Sequence, residues 1–289
     1  MEWVELVLPA GALADEVAAV LCDDPVAAAG VEVRGEDIVL WARAEDADAA
    51  LLGLRAAATR LRDHGLDVDP AAVRVRPAAP EDEWRDAWKR HFHVDRVTPR
   101  IVIVPSWERY EALPGDVVLD LDPGRAFGTG AHASTRLCLR ELDALATAGQ
   151  AVTRFLDVGT GSGVLSIAAA KLWPDARGRA VDVDPIAVDA ARENIERNAT
   201  GDRIGVSDED LVQLDGQFDL ILANIQADVL ELLRDGIVAR LAPGGALVLS
   251  GLLNEQADPV ATLYASLGLD RLRVAIQDDW SAVVLSRRP

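Results

Sequence analysis

The first 77 residues carry two different spacings of apolar side chains. Residues 2–8 alternate apolar and polar positions, as a strand does, whereas residues 11–22 carry apolar side chains at helical spacing. The pattern then predicts two short strands, a second helix and a last strand, at residues 31–34, 38–43, about 46–64 and 73–76.

This order of elements, β-α-β-β-α-β, is that of a split βαβ unit, the ferredoxin-like α+β fold. It predicts a small domain over residues 1–77. The segment holds no cluster of side chains that is typical of catalysis. We therefore expect this domain to recognise the substrate or to act as a scaffold.

A break in the pattern follows the small domain. Pro77 to Pro80 predicts a linker. Residues 81–93 then have helical spacing, with a stripe of Trp84, Trp88 and Phe92. Such a stripe could stack a ligand, but packing against a neighbouring domain is the favoured interpretation. The predicted organisation is a linker helix over 78–95 and a larger domain over 96–289.

The larger domain alternates helices with strands that are almost continuously apolar. The strands are predicted at 101–104, 117–121, 155–158, 179–183, 203–206, 218–223, 246–250, about 270–276 and 280–286. The helices are predicted at 134–145, 164–172, 185–198, 227–240 and 254–267. Strands of this kind are buried on both faces, which predicts a parallel, doubly wound α/β sheet. The last two strands are expected to form an antiparallel hairpin.

The most informative stretch runs from Phe155 to Pro185. A short apolar strand is followed by Gly159, Gly161 and Gly163, then by a helix and a second strand at 179–183. This is the layout of a nucleotide-binding βαβ unit, in which a ligand lies against backbone that has no Cβ. The spacing G-x-G-x-G differs from the dinucleotide pattern G-x-G-x-x-G. It favours a ligand with one ribose and no pyrophosphate.

Two acids, Asp182 and Asp184, lie near the end of the second strand of this unit. A carboxylate in this place can accept hydrogen bonds from both hydroxyls of a ribose. Both acids are candidates, because positions i and i+2 share one face of a strand. Asp182 is favoured, since Asp184 precedes Pro185 and suits the cap of the helix that begins there.

A glycine-rich segment, residues 122–135, precedes the first strand of the unit and leads into a helix that begins near Ser134. It also contains Phe127 and His132. A loop that only connects two elements does not need a glycine-rich run with these side chains. We interpret it as a loop that closes over a ligand. His132 is a candidate proton acceptor, although a structural role in the loop is favoured.

Composition narrows the possible partners. Half of the 289 residues are hydrophobic, and the net charge is −19. An acidic surface repels nucleic-acid phosphates and suits a basic protein, so no direct nucleic-acid binding is expected. Cys22 and Cys138 follow no metal or redox spacing, so we expect two buried thiols and no metal. No apolar run is long enough to span a membrane and no signal peptide is evident, which favours a cytoplasmic protein.

Several motifs together resemble the Class I methyltransferases that use S-adenosylmethionine. They are the glycine turn at 155–163, VDVDP at 181–185, and the strand end Ala223-Asn224-Ile225. The resemblance implies a seven-stranded, Rossmann-like methyltransferase domain and S-adenosyl-L-methionine as the cofactor.

Other motifs resemble one family much more specifically, the PrmA family of ribosomal protein L-eleven methyltransferases. They are DPGRAFGTGAHAST at 122–135 with LCLRELD at 137–143, and EDEWRDAWKRHFHVDRV at 81–97 with IVIVPSW at 101–107. The resemblance covers the whole chain, including the small ferredoxin-like domain, which this family uses to hold its substrate. It implies methylation of amino groups on a basic ribosomal protein by an enzyme expected to be a monomer.

The resemblance also implies where the cofactor binds. The contacts carried over from the family fall on Thr135, Gly159, Asp182 and Asn224. The full set of candidate cofactor residues is Phe127, Thr129, Thr135, Asp157, Gly159, Gly161, Gly163, Asp182 and Asn224. Asp208 to Asp210 could contact adenine, although a solvated acidic loop is the more common interpretation of such a cluster.

The expected chemistry asks little of the protein beyond alignment. The cofactor already carries a reactive methyl group, so the protein must orient an amine lone pair toward it. Asn224 and the backbone carbonyl of Ile225 are candidates for this role. It is an equal alternative that Asn224 contacts only the cofactor.

The chain departs from the family pattern near the expected point of methyl transfer. It has Ala133 and Ser134 where the family usually has proline and threonine, and Gln226 where leucine is usual. These differences leave open which amine is methylated. Alternative functions are lysine methylation of another protein, such as the electron-transfer flavoprotein β subunit, and a non-catalytic binding module that kept the fold.

Overall fold

The computed structural model describes residues 3–21, 26, 31–63, 66, 68–78, 93–121 and 132–288. The chain divides into two compact units, Met1–His91 and Phe92–Pro289, each of which is described by itself. The predicted linker helix, with Trp84, Trp88 and Phe92, lies almost entirely outside the described residues, as does Cys22. Residue 95, which the predicted linker included, lies in a strand. The domain boundaries otherwise stay a prediction.

The N-terminal unit has the predicted order of strands and helices. Its elements are β1 (Trp3–Pro9), α1 (Ala14–Leu21), β2 (Val31–Arg34), β3 (Asp37–Arg43), α2 (Ala47–Asp63) and β4 (Arg74–Pro77). Short 3₁₀ turns lie at Gly11–Leu13, Ala44–Asp46 and Pro70–Ala72. The four strands are antiparallel in the order β2-β3-β1-β4, so the ferredoxin-like topology is confirmed.

The period-2 pattern of these strands buries one face against both helices. Leu6 and Leu8 of β1 and Leu40 of β3 pack with Val17 of α1 and Leu54 of α2, and all five are fully buried. Each such side chain contributes roughly 1.5–3 kcal/mol by leaving water. This apolar layer is the core of the unit.

The neighbouring β1 position, Glu5, is a buried carboxylate with two arginine partners. Arg76 Nε donates to Glu5 Oε2 at 2.6 Å and Arg34 donates to Oε1 at 3.1 Å. Burial by itself would raise the pKa of Glu5, but the hydrogen bonds from Arg76 and Arg34 lower it below the ordinary value of 4.5. Glu5 therefore joins β1 to β2 and β4 through charge-assisted hydrogen bonds.

We predict that Glu5→Gln loosens this sheet near neutral pH. Both arginine side chains are 43% exposed, so solvent screening reduces the loss to about 1–2 kcal/mol. Hydrogen exchange of β1 and β4 amides should become roughly tenfold faster. The exposed Glu36→Gln variant is the matched control and should exchange at the wild-type rate.

The same variant has an expected pH dependence. A carboxylate whose pKa is lowered on folding stabilises the fold when the pH is above its unfolded-state pKa. This contribution is lost as the pH falls through the folded-state pKa. The difference between wild type and Glu5→Gln should therefore shrink below about pH 4.5, the ordinary value for glutamate. A difference that persists in acid would contradict a charge-based role for Glu5.

The C-terminal unit contains ten strands and five helices among its described residues. The strands are β5 (Asp95–Arg96), β6 (Ile101–Val104), β7 (Val117–Asp120), β8 (Arg154–Val158), β9 (Arg177–Val181), β10 (Ile204–Ser207), β11 (Phe218–Asn224), β12 (Leu241–Leu253), β13 (Leu269–Gln277) and β14 (Trp280–Arg287). The helices are α3 (Ala133–Thr147), α4 (Val164–Leu172), α5 (Pro185–Arg197), α6 (Ala227–Arg240) and α7 (Asn254–Ser266).

Seven of these strands form the main sheet, in the order β10-β9-β8-β11-β12-β14-β13. The five from β10 to β12 pair in parallel, whereas β14 runs antiparallel between β12 and β13. The predicted doubly wound sheet with a terminal antiparallel hairpin is therefore confirmed.

Both faces of the main sheet are covered. Phe155, Leu220 and Val248 alternate along their strands with Leu156 and Ile221, so successive side chains enter two different cores. The first core lies against α3, α4 and α5, and the second against α6 and α7. Burial on both faces explains why these strands are apolar at almost every position.

Three predicted strands differ from the structure in the sheet that they join or in length by several residues. The strands at 101–104 and 117–120 do not join the main sheet but form a second, three-stranded sheet with Asp95–Arg96. The strand predicted at 246–250 extends over Leu241–Leu253 and includes the expected turn Pro243–Gly245, because Leu241 pairs with Phe218. Strand pairing over such distances cannot be inferred from local patterns.

Candidate functional site

The candidate site lies where parallel strands end together. Val158 pairs with Val181, and Asn224 pairs with Ser250, so the carboxyl ends of β8, β9 and β11 lie at one edge of the sheet together with this part of β12. A cavity of about 770 Å³ opens at this edge. Ligands bind in this place in open α/β sheets, because loops rather than strands surround it.

Seven of the predicted site residues line the cavity. They come from four separate parts of the chain and are His132, Thr135, Gly159, Gly161, Asp182, Asn224 and Ile225. Gly163 and Asp157 lie near them but do not line it. Phe127 and Thr129 lie outside the described residues, as does most of the predicted closing loop.

The three glycines of the turn have positive φ angles and different neighbours. Gly159 has φ +70°, and a Cβ built on it would lie 2.3 Å from Ile225 Cγ2. Gly161 has φ +55° and directs its backbone N–H to Asp182. Gly163 has φ +82° and precedes α4, where a Cβ would press on Ala191 at 3.3 Å. The turn therefore needs glycine for its backbone angles and for its packing.

Asp182 and Asp184 take the different roles that their positions suggested. The second strand ends at Val181, two residues earlier than predicted, so both acids follow it. Asp182 lines the cavity, and its two oxygens accept from Gly161 N–H at 2.8 Å and Asp184 N–H at 3.1 Å. Asp184 accepts from Ile186 N–H at 2.9 Å and caps α5, as expected.

Asp157 lies beneath the glycine turn and is fully buried. Its Oδ2 accepts hydrogen bonds from Thr160 at 2.7 Å and Ser166 at 2.8 Å, while no described residue is a partner of Oδ1. Burial raises the pKa of the Asp157 carboxyl to about 6. Because this pKa is raised, the contribution of Asp157 to stability falls as the pH rises from 3.8 toward 6. The side chain supports the turn from below instead of facing the cavity.

Asn224 and Thr135 are 89 positions apart but in direct contact. Asn224 Nδ2 donates to Thr135 Oγ1 at 3.2 Å. Thr135 is itself fully buried in the first turn of α3. The other amide atom, Asn224 Oδ1, is buried and has no hydrogen-bond partner among the described residues. A buried acceptor of this kind costs free energy unless a ligand supplies a donor.

His132 has a structural role at the start of a helix. The helix begins at Ala133, one residue before the predicted Ser134, and His132 is its N-cap. Nδ1 of His132 accepts from the Ser134 backbone N–H at 3.3 Å and lies 2.7 Å from the Ser134 hydroxyl. This arrangement supports the structural interpretation over that of a proton acceptor.

Sequence reasoning missed several residues of the cavity wall, among them Trp280 and Gly251. Trp280 packs against His132 in an edge-to-face arrangement, with ring centroids 4.5 Å apart. Gly251 has φ +79°, and a Cβ there would lie 2.5 Å from the Ile225 carbonyl oxygen. For Gly251, the available signal in the sequence was a glycine directly after the predicted strand that ends at Ser250. No local pattern marks Trp280.

The acidic segment Asp208–Asp210 also borders the cavity. Glu209 pairs with Arg179, and Asp210 caps the 3₁₀ turn Leu211–Gln213. Asp208 is exposed and has no hydrogen-bond partner among the described residues. The segment therefore combines structural contacts with one carboxylate that is available to a ligand.

The described residues show no sign of two other classes of site, a metal centre and a membrane-spanning helix. They contain no group of three or more His, Cys, Asp or Glu side chains placed to hold a metal ion. None of the described helices is both long and apolar enough to cross a membrane. Cys138 is buried, as expected.

The strand order of the main sheet and the glycine turn at the carboxyl edge of that sheet define a Class I methyltransferase domain. The family model described as ribosomal protein L11 methyltransferase (PrmA) matches residues 37–288. The chain belongs to this family and is a protein methyltransferase.

Individual relatives agree with this assignment. A ribosomal protein L11 methyltransferase of Syntrophotalea carbinolica is 44% identical over 220 residues, covering 76% of this chain and 70% of the relative. One from Symbiobacterium thermophilum is 40% identical over 242 residues, covering 83% and 77%. The crystal structure of a ribosomal protein L11 methylase from Lactobacillus delbrueckii subsp. bulgaricus matches 68% of this chain and all of its own, with a TM-score of 0.62 and 31% identity.

We predict that Gly251→Ala disturbs the site through Ile225. A Cβ at this position would force the Ile225 backbone to move. The left-handed conformation of residue 251 adds a cost of roughly 1–2 kcal/mol. We expect urea unfolding to show a loss of about 3 kcal/mol or more.

Gly244→Ala is the matched control on the same strand. Gly244 has φ +75°, and no atom of the described residues lies within 4 Å of a built Cβ, so Gly244→Ala should lose only about 1–2 kcal/mol. Equal losses in the two variants would refute the contact with Ile225 as the reason for glycine at position 251.

Proposed function

We propose that this enzyme transfers methyl groups from S-adenosyl-L-methionine to amino groups of ribosomal protein L11. Lysine side chains are the expected acceptors, with the N-terminal amine as a further candidate. The observation that carries the proposal is the buried acceptor Asn224 Oδ1, which has no partner in the described parts of the chain and belongs to a cavity residue of an L11 methyltransferase family member.

The residues at the cavity suit the cofactor. Asp182 is a carboxylate whose oxygens each keep a lone pair, so it can accept the two ribose hydroxyls. Gly159 and Gly161 expose backbone to a close ligand. Val183 is 93% exposed at the same wall, so its apolar side chain is available to an adenine face. When bound, S-adenosyl-L-methionine supplies a methyl group on a positively charged sulfur.

The task left to the protein is to orient the amine and to keep it unprotonated. A lysine amine in water has a pKa of about 10.4, so most of it is protonated at neutral pH. A dry site with a cationic ligand disfavours the ammonium form, which removes the need for a strong base. Asn224 Oδ1 accepts an N–H of the amine, and Thr135 holds the amide in the orientation that this requires. Alignment of this kind is a large source of catalysis by itself.

The charge of the enzyme suits the proposed substrate. A net charge of −19 attracts a basic ribosomal protein and disfavours binding to RNA, the other component of the ribosome. The small N-terminal domain is proposed to hold that protein, and the reaction is proposed to occur in the cytoplasm.

Transfer of label from the methyl-labelled cofactor to unmethylated L11 tests the proposal. The wild-type enzyme should label L11. Asn224→Ala should lower kcat roughly a hundredfold, the scale seen when one preorganised polar contact is removed. Asn224→Asp keeps an acceptor oxygen and should retain more activity. Label that enters a different purified protein, such as the electron-transfer flavoprotein β subunit, while L11 stays unlabelled would refute the substrate.

Binding of S-adenosylhomocysteine, followed by calorimetry, tests the ribose contact without turnover. Asp182→Asn should weaken binding by roughly 10–100-fold, because hydrogen bonds to a charged group contribute about 1.5–3 kcal/mol. Asp184→Asn is the control, since asparagine caps a helix as well as aspartate does. Unchanged binding in Asp182→Asn would exclude this role. Absence of binding by the wild-type protein would instead favour a non-catalytic module.

A further inference from the structure

The turn between β13 and β14 has an unusual backbone. Gln277 pairs with Trp280, so only Asp278 and Asp279 connect the two strands. Asp278 has φ +54°, in the left-handed region that residues other than glycine seldom adopt. Backbone of this kind persists only where surrounding contacts hold it, and it is concentrated at functional sites. The contacts that hold this turn therefore point to a function.

Asn254, the first residue of α7, supplies these contacts. Its Nδ2 donates to the Asp278 carbonyl at 2.9 Å, and its backbone N–H donates to the Asp279 carbonyl at 3.0 Å. The Ser281 hydroxyl donates to Asn254 Oδ1 at 2.7 Å. Three hydrogen bonds to one residue thus fix both the turn and the beginning of β14.

The side chain of Asn254 is not needed to begin its own helix. The first turn of α7 is closed by Leu253, whose backbone N–H donates to Gln256 Oε1 at 2.9 Å. Asn254 is also exposed, so its side chain contributes little to the core. The two side-chain hydrogen bonds of Asn254 both go to the distant β13–β14 segment, and holding that segment in place is the role that they support.

The segment that Asn254 holds carries Trp280 at the cavity. Trp280 immediately follows the turn, lines the cavity and packs edge-to-face on His132, with ring centroids 4.5 Å apart. His132 is the N-cap of α3, and Thr135 in the first turn of that helix accepts the hydrogen bond from Asn224. A contiguous series of contacts therefore joins Asn254 to the amide that is proposed to orient the amine.

We propose that Asn254 is a positioning residue for methyl transfer, acting through Trp280. This inference rests on the proposed function. Asn254 itself is not part of the described cavity wall. Its side chain holds the indole against His132, which keeps the first turn of α3 and Asn224 in one arrangement. The carboxylate proposed to bind the ribose, Asp182, follows a different strand, so alignment of the amine depends on Asn254 and affinity for the cofactor does not.

Kinetics of a matched pair of variants test this division. In Asn254→Ala, kcat for transfer to L11 should fall roughly tenfold, because small misplacements of aligned groups are costly. Affinity for S-adenosylhomocysteine, measured by calorimetry, should stay at the wild-type value. Glu255→Ala changes the neighbouring exposed position of the same helix and should keep the wild-type kcat. Thermal unfolding of both variants should remain cooperative, since both positions are exposed.

A double-mutant cycle tests whether Asn254 acts through Trp280. Trp280→Leu removes the indole and should lower kcat by itself. In that background Asn254→Ala should cause no further loss, because residues that act through one contact have non-additive effects. Losses that multiply in the double variant would overturn the proposal.

Nuclear magnetic resonance of the histidine rings gives a readout without turnover. The chain has four histidines, and the His132 signal is identified by its loss in His132→Asn, since asparagine also caps helices. In Asn254→Ala this signal should move toward its position in Trp280→Leu, because the indole is no longer held on the imidazole. A His132 signal that stays at its wild-type position would overturn the contact between Asn254 and the site.

Failure of this inference can be distinguished from failure of the proposed function. Wild-type kcat in Asn254→Ala, or a loss of S-adenosylhomocysteine affinity as large as the loss of kcat, would overturn the positioning role and leave transfer to L11 standing. If the wild-type enzyme transfers no methyl to L11, the proposed function fails, and the positioning role fails with it.

Discussion

The site depends on the close packing of Ile225 between two glycines. Its side chain meets Gly159 on the turn after β8, and its carbonyl lies over Gly251 on β12, where any Cβ would approach within 2.5 Å. Its backbone N–H also donates to Ser250 at 3.2 Å. These contacts hold the end of β11 against both neighbouring strands. They place Asn224 at the cavity, where its amide oxygen finds no partner within the part of the chain that the structure describes.

The polar side chains near Ile225 have two roles: some stabilise the glycine turn, and others face the cavity where a ligand would bind. Asp157 is fully buried and supports the glycine turn through Thr160 and Ser166. Asp182 holds the same turn through Gly161 but also faces the cavity. Because backbone N–H groups fix its carboxylate in advance, little reorganisation is needed when a ligand binds. The methyl-transfer chemistry proposed for this family member requires such preorganised alignment more than it requires a strong base.

The local patterns predicted most elements and several site residues, because strand and helix periods and turn chemistry are local properties. Helix 164–172 has the predicted bounds. The cap by Asp184 follows from an acid directly before a helix-starting proline. Resemblance to the family, rather than any local pattern, indicated Thr135 and Asn224. The predicted bounds of β9 and β12 were less accurate, because pairing with strands that are distant in the sequence decides where each strand ends.

The sequence by itself determined the two fold types, the glycine turn and the acidic charge of this protein. Each depends on residue order over short distances or on composition alone. Only the tertiary structure decided that Asn224 donates to Thr135, that Trp280 packs on His132, and that Gly251 accommodates Ile225. These residues meet because parallel pairing aligns the ends of strands that lie far apart in the chain, and side-chain packing then selects their partners.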